Sequence, residues 1–429
     1  MIYWAPFLHF YQPPTQQHAV LKKISNESYR PLFKMLAEHS NAKLTINMCA
    51  VLTEALSDHG ASDILASIKH LAGKGQIEFV DSAAYHAILP LIPKEEMARQ
   101  IELNNKINSK YFEDTYKVRG FFPPEMCYSS EVGHFLSTLG YEWVLLSGIA
   151  CAQSWPLDEI NEIAFPKSTL TLFFRDDVIS NRVSFRAVDS ATFLQDLASL
   201  GNGRKDIYVI TAMDAETFGH HIKNWEKIFL GSAFDLIAQA KKAAGLRHGK
   251  KGPKEEKNIR AQAPEQFEIV TISELLKKFP KKHSKSPRLS SWSSSKEDIA
   301  EKIYYPLWKH PKNRIHNLQW EHLSMVFDFV GEAFHVKDDN QETARFYNES
   351  RQILDKALHS CQFWWANKGR MWDINLVNRG LILQEEAIFN AQKAITLSEA
   401  SEEIERDFYH KVAAARYIAD KIRDELISA

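Results

Sequence analysis

The chain has 429 residues, 45% apolar and 25% charged, the balance of a soluble globular protein large enough for two domains. Lys+Arg 53 against Asp+Glu 54 leaves a formal charge of -1, so no global field draws nucleic acid or an anionic membrane surface. No apolar run reaches the roughly 18 residues that a membrane helix needs. The first stretch, MIYWAPFLHFYQPP, has no basic n-region and no small-residue cleavage site, so it reads as a strand and not as a signal peptide. Cys49, Cys127, Cys151 and Cys361 lie far apart, which excludes a CxxC zinc or redox pair. Free, buried thiols in a reducing compartment are expected, and with them a cytoplasmic location.

Short β-rich runs alternate with amphipathic stretches through the first two-thirds of the chain. Strands are expected over 2–8, 44–48, 76–80, 118–122, 142–146, 170–175, 206–211 and 267–271. Helices are expected between many of them, over 31–40, 94–111, 130–139 and 224–243. The second of these carries Met97, Ile101, Leu103 and Ile107 as its apolar residues. Such alternation argues an α/β fold with a parallel sheet covered by helices. Seven or eight units suggest a closed (β/α) barrel; an open doubly wound sheet is the alternative. The charged stretch 246–266 reads as an exposed loop, and the basic, serine-rich 280–295 as the exit from the barrel. Beyond it, 315–336, 340–358 and 383–426 are helix-periodic. Asp339 or Asn340 is the candidate cap of the second run, and Ser398 or Ser401 a cap that splits the third. The expected domains are a catalytic barrel over 1–280 and a helical bundle over 281–429.

The polar residues fall at strand ends. His9, Gln12, Asn47, Glu78, Asp81, Glu125, Asp214 and Glu216 are expected at one end of a parallel barrel, the face where barrel enzymes work. A single strand-end acid is more often a cap or an ion-pair partner, but caps do not require an acid inside an apolar strand such as GQIEFV. Acids crowded together raise one another's pKa values, as a proton donor near neutral pH requires. Pro123-Pro124 stiffens the approach to Glu125. His86 is a candidate pocket residue or a satisfied loop histidine. His220 and His221 are adjacent, and neighbouring side chains rarely serve one site.

Taken in order, these segments resemble glycoside hydrolase family 57. The first family motif, His-x-His-Gln-Pro, reads His9-Phe10-Tyr11-Gln12-Pro13, with Tyr11 in place of the second His. The second reads Gly75-Gln76-Ile77-Glu78; the third ends at Glu125; the fourth holds Asp214 and Glu216; the fifth matches 358–365 loosely. The resemblance implies an incomplete (β/α)7 barrel followed by a helical bundle, and retaining chemistry on α-glucans. It assigns Glu125 as nucleophile and Asp214 as acid/base, and His9, Tyr11, Gln12, Glu78 and Glu216 as sugar contacts. Trp292 and Trp365 are candidate platforms for sugar rings or packing residues. The family offers an Asp in the fifth motif, where Cys361 or Gln362 stands here.

The expected reaction is α-amylase-like hydrolysis through a glycosyl-enzyme, on α-1,4 bonds with α-1,6 bonds as an extension, with no metal and no cofactor. The alternative on the same scaffold is a transglycosylase, a 4-α-glucanotransferase or branching enzyme. A non-catalytic carbohydrate-binding protein and a metal-dependent deacetylase are the rivals from other classes. The latter wants a His-x-x-x-His pair, which the 17 histidines do not form. The partner is an oligo- or polysaccharide; neither nucleic acid nor membrane is expected.

Overall fold

The computed structural model describes residues 1–152, 155, 157–201, 206–248, 267–284, 286–368 and 371–428. The expected loop over 246–266 lies outside these except for 246–248, which end the helix Ser232–His248. Two compact units emerge. The first comprises Met1–Gln12, Gln16–Ala84 and Ile101–Trp292; the second comprises Pro13–Thr15, Tyr85–Gln100 and Ser293–Ala429. Among the described residues no helix is long and apolar enough to cross a membrane.

The first unit is a parallel barrel. Its strands are β1 (Ile2–Phe10), β2 (Leu44–Met48), β3 (Ile77–Val80), β4 (Gly120–Phe121), β5 (Trp143–Leu146), β7 (Ser168–Phe174) and β8 (Ile207–Asp214), with β6 (Ile160–Phe165) an antiparallel partner of β7. One run is ordered β3-β2-β1-β8 and the other contains β7-β5-β4. Two narrow seams close the ring. At the first, Asp81 N–H donates to Gly120 O (3.1 Å) and Phe122 N–H to Asp81 O (2.8 Å). At the second, Asp176 N–H donates to Ile210 O (2.8 Å). The result is a (β/α)7 barrel followed by a helical region. Two short strands lie outside the ring: β9 (Phe267–Ile269) pairs with the start of β1, and β10 (Lys281–His283) adds to β6. β4 is cut short because Pro123 and Pro124 carry no N–H for a ladder.

Both faces of these strands are covered, so the strands read as continuous apolar runs. Alternation still sorts them. Trp4, Leu8, Ile46, Phe79 and Val209 join the core that packs on Leu32, Leu36, Phe193 and Phe234 of the outer helices. Phe7 and His9 point the other way, into the barrel, where both rings meet Phe122 at 4.9 and 5.0 Å.

The helix Lys94–Phe112 departs from expectation. Leu103 and Ile107 are only half-buried; Gln100, Asn104 and Asn108 take the buried positions beside Met97 and Ile101. The two asparagine amides serve the ends of β2 and β3. Asn104 Nδ2 donates to Asp81 (2.7 Å) while its Oδ1 accepts from Ala50 N–H (2.8 Å); Asn108 Nδ2 donates to Met48 O (2.7 Å).

The second unit contains the helices Arg314–His335, Gln341–Ala357, Ile374–Thr396 and Glu402–Ile427. Asn340 and Ser401 are the caps, accepting from Thr343 N–H and Ile404 N–H. The third helix begins nine residues before the expected start, where Asp373 accepts from the Asn375 and Leu376 amides. Val377, Leu381, Ile418, Ile422 and Leu426 form its core with Ile315 and Leu318. A chain of ion pairs, Glu96–Arg351 (2.6 Å), Arg351–Asp355 (3.0 Å) and Asp355–Arg99 (2.7 Å), ties this unit's separate segments together.

Candidate active site

Strand register places the first group of side chains. His9 pairs with Asn47 on one side and with Asp214 on the other, so all three stand at the C-terminal ends of β2, β1 and β8. His9 Nδ1 lies 2.8 Å from Asn47 Oδ1, the acceptor. Burial holds the imidazole pKa down, although the charge of Asp214 pulls it up, so His9 is neutral near pH 7.

Glu125 reaches this level from β4. Its φ of 59° and that of Met126, 51°, lie in the left-handed region, which costs non-glycine residues about 1–3 kcal/mol each. The turn is held by Met126 N–H to Pro123 O (2.8 Å) and Cys127 N–H to Pro124 O (3.0 Å). Trp292 grips the acid twice, through its backbone N–H to Glu125 O (3.0 Å) and through the indole N–H to Glu125 Oε2 (2.6 Å). Burial, then the negative charge of Asp214, pushes the Glu125 carboxyl up to about 8, against the opposing pull of the indole. Glu125 and Asp214 therefore share one electrostatic environment.

Glu216 is the third acid, 6% exposed. Its Oε1 accepts from Gln12 Nε2 (2.7 Å) and from the hydroxyl of Tyr29, and Gln12 Oε1 accepts from Gln16 (2.7 Å). Burial first and Asp214 second push its carboxyl up to about 7. The chain then turns at Gly219, where φ is +111° and a Cβ would lie 1.9 Å from Glu27 O, so no other residue fits. The adjacent histidines diverge. His220 Nδ1 pairs with Glu27 (2.6 Å), whereas His221 feels the charge of Asp214 and is held low by burial.

Aromatic rings wall the site. Tyr11 stacks at 6.0 Å from His9, and Trp292 meets the same imidazole edge-on at 6.0 Å. Arg175 lies across Trp292, its guanidinium carbon 5.5 Å from the ring centroid. Neither Arg175 nor Tyr29 was expected here from the sequence. The one signal was a lone arginine closing the apolar run LTLFFR.

Two expected members are elsewhere. Glu78 pairs in register with Thr45, two residues before the level of Asn47. Its Oε2 accepts from Thr45 Oγ1 (3.0 Å) and from Ser273 N–H (3.2 Å), beside the short helix that follows β9. Asp81 is fully buried and saturated by Asn104 (2.7 Å), Tyr141 (2.6 Å) and Ser82 N–H (2.8 Å). Both are structural carboxylates, and burial raises the pKa of each.

The remaining candidates belong to the helical unit. Trp365 packs there against the Ile315–Leu381 core, 5.5 Å from the ring of Trp364. His86 Nδ1 contacts Ser360 Oγ at 2.7 Å. Gln362 does not offer a polar group in place of the family's Asp. Its Nε2 donates to Ala357 O (2.5 Å) and His359 O (3.1 Å), and its Oε1 accepts from Gln384 (2.7 Å). Cys361 is buried.

Residues 5–249 match the model of Glycosyl hydrolase family 57. The chain belongs to that family. The matched span carries the first four motifs and both acids, and ends before the helical region. An α-amylase of Pyrococcus horikoshii is 27% identical over 241 residues, 54% of this chain and 37% of the relative. A 4-alpha-glucanotransferase of Thermococcus kodakarensis is 26% identical over 241 residues, 54% of this chain and 36% of the relative. The match thus covers little more than a third of these relatives. In three dimensions a GH57-type branching enzyme of Pyrococcus horikoshii superposes with a TM-score of 0.69 at 16% identity, covering 97% of this chain and 94% of the other. That likeness is one of fold, and it extends family 57 architecture past residue 249 into the helices.

Proposed function

We propose that this chain is a retaining glycoside hydrolase of α-linked glucans, with Glu125 as nucleophile and Asp214 as acid/base. The observation that carries the reading is the Glu125 carboxyl, pushed up by burial and then by the neighbouring Asp214, and held by an indole donor at 2.6 Å. Near neutral pH Glu125 keeps a proton beside the charge of Asp214. Glycosidic cleavage uses that state: one carboxylate, one acid.

For the first step the proton that Glu125 holds near neutral pH passes to Asp214, which leaves the negative charge on Glu125. A Glu125 carboxylate oxygen bonds to the anomeric carbon as the bond from that carbon to the glycosidic oxygen breaks. The Asp214 proton passes to the departing oxygen. The Trp292 N–H stabilises the carboxylate that must form before attack. In the second step Asp214 takes a proton from water or from a sugar hydroxyl. That oxygen bonds to the anomeric carbon and the ester to Glu125 breaks. The retaining route needs the two carboxyls about 5–5.5 Å apart.

Neutral His9, Gln12 and Glu216 are the proposed hydrogen-bonding contacts to sugar hydroxyls, with Tyr11 and Trp292 as apolar surfaces. Glu78, tied to Thr45 and Ser273, is left out of this set. Transfer to an acceptor sugar is the second reading, supported by the name of the Thermococcus kodakarensis relative.

Product analysis on a panel of α-linked oligo- and polysaccharides tests both readings. Hydrolysis gives shorter sugars alone; transfer also gives chains longer than the substrate. Glu125→Ala and Asp214→Ala are expected to lose activity by roughly a thousandfold or more, the scale on which removing a member of a catalytic unit acts. Undiminished turnover in either variant sinks the assignment.

A further inference from the structure

Arg175 is charged, 5% exposed and on the wall of the proposed site, yet the mechanism above does not use it. Its guanidinium sits in a socket. Nη2 donates to Asn181 Oδ1 (2.6 Å), and Nη1 faces Asp177 Oδ1 (3.4 Å). Asp177 is fixed in turn by Ser147 Oγ (3.0 Å) and Ile149 N–H (2.9 Å). Gly148 permits the approach, since a Cβ there would lie 2.5 Å from Arg175 O. The Nε is buried without a hydrogen-bond partner among the described residues. Burying a cation is expensive. A socket of this kind is more than a surface ion pair needs.

We propose that Arg175 is a positioning residue for the nucleophile: it lies on the face of Trp292 and polarises the indole whose N–H holds Glu125. This rests on the reading of Glu125 as nucleophile. A cation over an indole face is attracted to the ring and draws electron density toward it. The ring N–H becomes a stronger donor, and hydrogen bonds in series reinforce one another at low dielectric. The chain is Arg175, 5.5 Å to the ring, then 2.6 Å from the ring nitrogen to Glu125 Oε2. Its effect is to favour the charged form of Glu125 against burial and against Asp214. The titratable groups facing this chain are Asp176 and Asp177 beside the arginine, Asp214 from β8, His9 from β1, and the Cys49 and Cys127 thiols behind Glu125. Burial keeps both thiols and His9 neutral, so Asp214 is the charge that opposes Arg175 at the nucleophile.

The test is a pH titration of the Trp292 emission, obtained as the difference between the protein and its W292F variant, which removes the other nine of the ten tryptophans from the signal. The transition is expected near pH 8, where Glu125 ionises. R175M is expected to move its midpoint up by about one unit, the effect of losing a nearby opposite charge. R175K keeps the charge without the planar face, so its midpoint is expected between those of the parent and R175M, while kcat on an α-glucan falls roughly tenfold at little-changed KM. An unmoved midpoint in folded R175M, or parental kcat in R175K, overturns the proposal; R175K decides alone if R175M does not fold. The emission arm needs no turnover. A titrating Trp292 in a protein inactive on every glucan would therefore overturn the proposed function and leave only the coupling of Arg175, Trp292 and Glu125, without a nucleophile to position.

Discussion

At the scale of single residues, Glu125 and Glu216 both place proton-binding groups where burial disfavours charge. Their folded values, about 8 and about 7, lie above the ordinary carboxyl value of 4.5. The folded state therefore binds more protons than the unfolded chain between pH 4.5 and 8. Stability from these groups is fully present below pH 4.5 and is lost as pH rises through 7 and 8. Glu125→Gln removes the penalty. It is expected to stabilise the protein by about 2–4 kcal/mol at pH 8 and hardly at pH 4.5, read by chemical denaturation at the two pH values. Activity follows the same direction: kcat/KM should fall as pH rises through about 8, where Glu125 gives up the site's proton. A profile still rising at pH 9 would contradict the pairing. Strand ends made His9, Gln12, Glu125, Asp214 and Glu216 legible in the sequence, because an acid or imidazole closing an apolar run is itself a signal. Glu78 and Asp81 carry the same signal for another reason. Sequence phase does not give height in the barrel, and two residues of height turn Glu78 into a brace on Thr45; Asp81 stands one residue past the level of Asn47 but is enclosed by Asn104, Tyr141 and Ser82. Tyr29 and Arg175 were missed because their meaning lies in partners far along the chain, Glu216 and Trp292.

At the scale of elements, polar residues occupy positions that periodicity reserves for apolar ones. All eight expected strands form, with shifts of a few residues at their ends. The helix Lys94–Phe112 shows where pattern reading fails: its buried stripe runs through Gln100, Asn104 and Asn108, whose amides bind Asp355 O, the Ala50 N–H and Met48 O. Asn104→Ala takes one donor from the buried Asp81 carboxylate and leaves the Ala50 N–H without its side-chain acceptor, a loss of about 2–4 kcal/mol. Leu103→Ala, at a half-buried position, should cost distinctly less. Urea midpoints of the two variants settle the order. In the helical unit, Arg351→Ala leaves Glu96 and the buried Asp355 with reduced compensation. A loss of about 3–5 kcal/mol is expected, the cost of breaking a buried pair from one side. A drop below 1 kcal/mol would show that water replaces the guanidinium.

At the scale of the molecule, alternation of strands and helices favoured a closed barrel over an open sheet but left both possible. Closure depends on two seams, and each uses hydrogen bonds that no local pattern announces. The seams have a mechanical consequence. They divide the ring into two plates, β3-β2-β1-β8 and β4-β5-β7, joined by a handful of amides. Asp214 ends a strand of the first plate, and Glu125 follows a strand of the second. The gap between the carboxyls is thus a coordinate between plates, free to change without bending any strand. Amide exchange should reveal it: Asp81, Phe122 and Asp176 N–H groups exchanging ahead of Leu8 and Ile210, at a rate that tracks the breathing of the gap across which a sugar must be held.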